Sequence, residues 1–175
     1  MVKVNGERLL DSLHQLRSIG AFETGVVRPA FSKSDMRARR WLKSEFIAAG
    51  LKTEIDGVGN VLGASTNLGP GLLLGSHADT QPTGGWLDGA LGVMYGLEVV
   101  RTLSENHSTR HLAVDVVALQ DEESRFLGCL GSRSLTGTLK EREYAISADA
   151  NGIRLVDAIS EAGLAGVPRA KLDLE

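Results

Sequence analysis

Two short segments, residues 72–75 and 111–119, are largely apolar, and each runs straight into side chains that bind cations. A strand with little alternation is the mark of a sheet covered on both faces. Segments of helical period surround these two, so few architectures remain open to the chain.

Residues 5–19 place Leu9, Leu10, Leu13, Leu16 and Ile19 at helical spacing, with Glu7, Arg8, Gln15 and Arg17 on the other side and Gly20 as a stop. A second helix is expected over 35–49, capped by Ser34, with Asp35 at its positive end and Gly50 beyond it. Trp41, Leu42, Glu45, Phe46 and Ala49 share its overlapping faces, and the run Arg37, Arg39, Arg40 and Lys43 reads as a solvated face. Residues 51–55 alternate, and 60–64 are placed to pair with them. After the strand at 72–75 come a polar loop, a helix over 89–103, the strand at 111–119, a short helix and turn over 128–138, and a last helix over 154–162. The order α, α, β, β, β, α, β, α argues for a three-layer α/β sheet.

At 175 residues the chain fits one domain, with no evident linker or repeat. A net charge of -3 gives no reason to expect nucleic acid as a partner. Cys129 is the sole cysteine, which excludes an internal disulfide and a cysteine zinc cluster. No apolar run approaches the ~20 residues of a membrane span, and the first residues lack the apolar stretch of a signal peptide. A cytoplasmic protein without membrane partners is the expectation.

The chemistry concentrates in Gly75-Ser76-His77-Ala78-Asp79-Thr80, at the carboxyl end of the first buried strand, where open α/β sheets place ligands. In extended backbone His77 and Asp79 project to one side, so Asp79 is spaced to hold the second imidazole nitrogen of a metal-bound His77. Asp88 follows in Gly84-Gly85-Trp86-Leu87-Asp88-Gly89, just ahead of a helix. The second buried strand ends in Asp121-Glu122-Glu123. Adjacent acids repel one another unless they are solvated, protonated or bound to cations. One imidazole and several carboxylates suit zinc, and paired metals activate water between them. Composition and spacing leave two readings open, a metal site and a solvated acidic loop beside a structural histidine.

These segments resemble the M20 family of metallohydrolases, in its hydantoinase/carbamoylase amidase branch. The family pattern is Gly-Ser-His-x-Asp-Thr, then Gly-Gly-x-x-Asp-Gly-x-Leu-Gly-Val, then a Glu pair, Arg-Phe and Leu-Gly-Ser-Arg. Here the second segment is Gly84 through Val93, and Glu122-Glu123-Ser124-Arg125-Phe126 precedes Leu130-Gly131-Ser132-Arg133. Gly59-Asn60 and Asp149-Ala150-Asn151-Gly152 are weaker echoes. The resemblance implies a sheet of the zinc-dependent exopeptidase type. It implies that His77 ligates one of two divalent metals (zinc or manganese), that Asp88 bridges both, and that Glu123 ligates the other. Glu122 would be the general base and Asp79 would orient His77. The implied reaction is hydrolysis of a linear amide or ureido C–N bond in a small molecule such as an N-carbamoyl amino acid or a ureido acid. An aminoacylase or peptidase of the same family is the nearest alternative, and a non-catalytic metal-binding remnant is another.

Two departures bear on these expectations. Only Ser124 separates the Glu pair from Arg-Phe, where the family has two residues, so an ungapped alignment makes Asp121 the base and Glu122 the ligand. Family members are also longer, with a second metal-binding histidine in a His-Ile-Glu-Gln-Gly segment, another near the C-terminus, and a lid and dimerisation domain. Residues 1–175 are therefore expected to form the N-terminal part of a catalytic domain, a truncated enzyme with uncertain activity alone. An exposed apolar sheet edge would favour self-association or a complementing C-terminal chain. The closing Leu174-Glu175 is compatible with a vector-derived tail. His14 is expected at a helix surface, His107 in a polar loop, and His111 at the wrong end of its strand to be a ligand. Cys129 reads as a packing residue, and Arg125 and Arg133 as structural.

Overall fold

The computed structural model describes residues 2–172, so Leu174 and Glu175 lie outside the described residues. The elements are α1 (Gly6–Ser18), a small hairpin of β1 (Ala21–Phe22) and β2 (Gly25–Val26), α2 (Lys33–Ala48), β3 (Lys52–Ile55), β4 (Val61–Ala64), β5 (Leu72–His77), α3 (Ala90–Glu105), β6 (Val114–Leu119), α4 (Leu130–Leu135), α5 (Glu141–Ile146) and α6 (Leu155–Glu161). The hairpin and α5 are additions to the sequence expectation. The hairpin strands have two residues each, too few to show a period, and α5 buries no residue.

The main sheet is mixed α/β in order β3-β4-β6-β5. β3 pairs antiparallel with β4, and β4 with β6, whereas β5 lies parallel to β6. The parallel pair needs a crossover, which α3 supplies between β5 and β6. One face is covered by α2 and α3, with α1 packed on α3, and Leu16, Leu42, Phe46, Val93 and Leu97 share one core with Val61, Val116 and Ala118. A second, smaller core joins Phe126 and Leu130 to Leu155 and Ile159 of α6, with Met36 and Val58.

Two expectations change. β5 is an edge strand, with Leu72 and Leu73 at 59% and 36% exposure, so its apolar run does not report cover on both faces. The N-cap of α2 is Ser32, which accepts the Asp35 N–H, while the Ser34 hydroxyl is turned to the Val27 carbonyl.

Glu98 on α3 ties that helix to the start of the chain. Its carboxylate, almost wholly buried, accepts from the Asn5 N–H, the Thr102 hydroxyl and the Arg8 guanidinium at 2.8 Å. Burial pushes this carboxyl up, but Arg8 and the other donors outweigh burial and hold it below its ordinary value. A depressed folded pKa stabilises the fold above the unfolded value, near 4.3, and that contribution is lost as pH falls through the folded value. Glu98→Gln is therefore expected to cost about 1–3 kcal/mol at pH 7, with a smaller deficit at pH 3. Urea unfolding at both pH values measures this, and an equal deficit at both would contradict the assignment.

Candidate metal centre

The parallel register runs from Leu72 beside Val114 to His77 beside Leu119, so β5 and β6 end level. Three side chains meet at that rim. His77, Asp88 and Glu123 each present one ligand atom, and these atoms all lie within 4.8 Å of one another. His77 is buried, Glu123 half-buried and Asp88 exposed. One imidazole nitrogen with two carboxylate oxygens is a donor set for a divalent cation of the zinc or manganese kind, so the residues present fit such an ion.

Each candidate ligand is delivered differently. His77 is the last residue of β5. Asp88 rides on a loop fixed at both ends. Gly84 exchanges main-chain hydrogen bonds with Val26 at 3.0 and 3.1 Å, and the Leu91 N–H donates to the Leu87 carbonyl as α3 begins. Trp86, between them, stacks on His14 at 5.3 Å and lies under the Arg17 guanidinium at 5.0 Å. Gly89 has φ +64°, and a Cβ there would come within 2.5 Å of the His77 ring, so only glycine lets this turn pass the imidazole. Glu123 lies in the turn beyond β6. Its N–H donates to Asp79 Oδ2 at 3.2 Å, and Gln81 Nε2 donates to its carboxylate at 2.5 Å.

Asp79 touches His77 differently from the sequence expectation. The Nδ1 atom lies 3.0 Å from the main-chain carbonyl of Asp79 and 3.7 Å from its carboxylate. The strand ends at His77, so the alternation that would have aligned the two side chains stops there. The carboxylate holds the Glu123 backbone instead. Burial pushes the Asp79 carboxyl above its ordinary value against the pull of Arg39.

The acidic triplet divides sharply. Asp121 is fully buried and accepts the N–H groups of Arg125, Phe126 and Leu127 at 2.7–2.9 Å, which folds the loop around it. Burial outweighs these bonds and pushes its carboxyl up to about 6. The Glu122 side chain is 43% exposed, with a carboxylate oxygen 3.6 Å from His77 Nε2. Asp121 is thus committed to the backbone, while the Glu122 carboxylate stands at the rim, facing the His77 ring and accepting from the Cys129 thiol at 4.0 Å.

Arg39 is not part of a solvated face. It is fully buried, with its Nε 3.0–3.1 Å from the Asp35 carboxylate. The other basic residues of the run share its sequence signature, and only the acid four residues earlier marks Arg39 out. Arg28, also fully buried and without any sequence signal, donates to the Ala78 carbonyl at 2.6 Å and to the carbonyls of Leu16 and Ile19. Arg125 donates to the Ala30 carbonyl and Asp149, and Arg133 to Glu143, as structural residues do. His14, His107 and His111 are exposed and outside the ligand cluster. The Cys129 thiol is exposed rather than packed, because the residue caps α4 in left-handed backbone. A cavity of about 560 Å³ adjoins the cluster, lined by Ala30, Ser34, Thr80, Glu123, Arg125 and Asn151 among others. Among the described residues no helix is long and apolar enough to cross a membrane.

Residues 58–161 match the model of peptidase family M28. The chain is 40% identical over 167 residues to an N-carbamoyl-L-amino acid amidohydrolase of Geobacillus stearothermophilus, covering 92% of this chain and 41% of that protein. It is 34% identical over 161 residues to an allantoate amidohydrolase of Bacillus subtilis, covering 89% and 39%. Among solved structures, a hydantoinase/carbamoylase family amidase from Burkholderia phymatum superposes with a TM-score of 0.97 at 51% identity, covering 99% of this chain and 43% of that one. The chain thus spans about two fifths of the length of these relatives. The family model bears the label M28 where the sequence resemblance was to M20, and the relatives are the hydantoinase/carbamoylase amidases that the resemblance named. The order of the motifs, the mixed sheet that carries them and the match across nearly the whole chain agree: the chain belongs to peptidase family M28, and the relatives it matches over most of its length are hydantoinase/carbamoylase amidases.

Proposed function

We propose that this chain carries part of the centre of a metal-dependent hydrolase acting on linear amide or ureido C–N bonds, with N-carbamoyl amino acids and ureido acids as the substrate class. The meeting of His77, Asp88 and Glu123 within 4.8 Å at the ends of β5 and β6 carries the reading. Names of relatives that act on N-carbamoyl amino acids and allantoate support the substrate class. On this reading His77 would hold one ion of a zinc or manganese pair, Glu123 would hold the other, and Asp88 would serve both. Residues 1–175 form the N-terminal part of a catalytic domain, and further ligands come from outside them.

The ions, when bound, supply Lewis acidity that polarises a carbonyl and acidifies water. The remaining work falls to side chains. Glu122, half-exposed at the rim, takes a proton from water and returns it to the departing nitrogen. We assign this role to Glu122 rather than Asp121, whose oxygens are spent on three backbone N–H groups. Asp79 holds His77 through its carbonyl and Glu123 through its carboxylate. The edge of β5, with Leu72 and Leu73 exposed, is where a complementing chain or a second copy would pair.

A second reading, metal binding without turnover by the isolated chain, is favoured by the two-fifths span of the relatives. Incubating the manganese- or zinc-loaded chain with N-carbamoyl-L-amino acids and measuring amino-acid release separates the two. Turnover that falls about 100-fold or more in Glu122→Gln supports the hydrolase reading. Turnover indifferent to Glu122 sinks the assignment of the base, and metal uptake without turnover leaves the second reading standing.

A further inference from the structure

Arg39 sits at the middle of α2, yet its guanidinium reaches the floor of the metal centre. Its Nη1 donates to the carbonyls of Gly59 and Ala118 at 3.0 and 3.2 Å, and its Nη2 to the carbonyl of Leu119 at 3.1 Å. Nη2 also lies 3.7 Å from the Asp79 carboxylate, and both side chains are almost completely buried. A single cation therefore grips the end of β6, the turn that leads into β4, and the residue that holds both His77 and Glu123.

Stability alone is a poor reason for such an arginine. Buried ion pairs repay their desolvation only with excellent geometry, and well-packed apolar replacements are often neutral or better. What the planar fork supplies is direction, with several donors fixed relative to one another. Here those donors set β6 against Asp79, and the Glu122-Glu123 turn follows directly from β6. The seat of Arg39 is specified in turn. Asp35, one helical turn earlier, faces its Nε, and Asp35 is fixed by the Phe31 N–H at 2.8 Å and Gln120 Nε2 at 3.0 Å.

We propose that Arg39 is a positioning residue of the metal centre, setting the end of β6 against Asp79 so that His77 and Glu123 meet at one metal-binding rim. The inference rests on the metal reading above. It separates Arg39 from ordinary core residues, whose loss weakens the fold without changing how the folded protein binds metal.

The test is zinc affinity of the full chain by competition with a chromophoric chelator, with the visible spectrum of the cobalt(II)-loaded protein as a readout of ligand geometry. Arg39→Lys keeps the charge and loses the fork. It is expected to weaken zinc binding about 10- to 100-fold, as loss of a group that orients metal ligands does, and to shift the cobalt bands. Leu97→Ala, a cavity in the core of α3 away from the ligands, is the control for lost stability and is expected to bind within about twofold of wild type. Arg39→Lys that also binds within about twofold overturns the inference, as does a loss no greater than that of Leu97→Ala. If Arg39→Lys does not fold, Asp35→Asn, which removes the charge seating Arg39, takes its place, and the same affinity thresholds support or overturn the inference. A wild-type chain that takes up no zinc overturns the metal reading and this inference together, whereas wild-type uptake with an unaffected variant overturns this inference alone.

Discussion

His77→Ala is expected to abolish specific uptake of zinc or manganese by this chain, with Asp88→Ala giving the same outcome. The imidazole is the only nitrogen in the ligand cluster and its only buried member. Without it two carboxylates remain, one of them exposed, and exposed acidic pairs hold divalent ions weakly. Removing a residue that merely orients a ligand already costs about 10- to 100-fold in affinity, so removing the ligand itself should exceed that. The fold should survive, because His77 ends its strand and its Nδ1 contact is to the neighbouring main chain. Elemental analysis of loaded and desalted protein, with circular dichroism as the folding control, gives the answer. Unchanged metal content in the folded variant would leave the cluster as an acidic rim with no bound ion.

Gly131→Ala is expected to destabilise the fold by about 3 kcal/mol or more, near the upper end of what overpacking costs. A Cβ at this position would lie 2.1 Å from Asn60 Oδ1 and 2.4 Å from the Gln120 nitrogen. Neither neighbour can retreat cheaply. Asn60 accepts the Gln120 N–H at 3.0 Å and donates to Asp56 and to the Gly131 carbonyl, and the Gly131 N–H donates to the Gln120 carbonyl at 2.7 Å. The methyl group would drive α4 off the end of β6 and open the loop that holds Glu122 and Glu123. Denaturant unfolding beside wild type measures the loss, and a loss below about 1 kcal/mol would mean that α4 slides without penalty.

The helices and the strands that carry the site were legible because each repeats a pattern over enough residues. Leu13 and Leu16 face the core as their spacing predicts, and residues 51–55 and 60–64 do pair. The candidate ligands were legible as motifs, and the structure brings His77, Asp88 and Glu123 together. What could not be read is whatever depends on tertiary contact. Local charge could not distinguish Arg39, in the core, from Arg40 beside it, on the surface. The adjacent Asp121 and Glu122 offer the same chemistry in sequence, and only the folding of 125–127 onto Asp121 separates them. The apolar run of β5 told its composition but not its place at the sheet edge.

The three candidate ligands differ in what holds them. His77 is fixed by strand pairing and Glu123 by a turn stitched to Asp79, whereas Asp88 rides on a loop that α1 holds through the contacts of Trp86 with His14 and Arg17. On the metal reading, His77 and Glu123 would stand in place before any ion arrives, and the position of Asp88 would be set by its loop. On that reading, the exchange rate of a bound ion would depend on how firmly Trp86, resting on His14 and Arg17 of α1, holds the loop that carries Asp88.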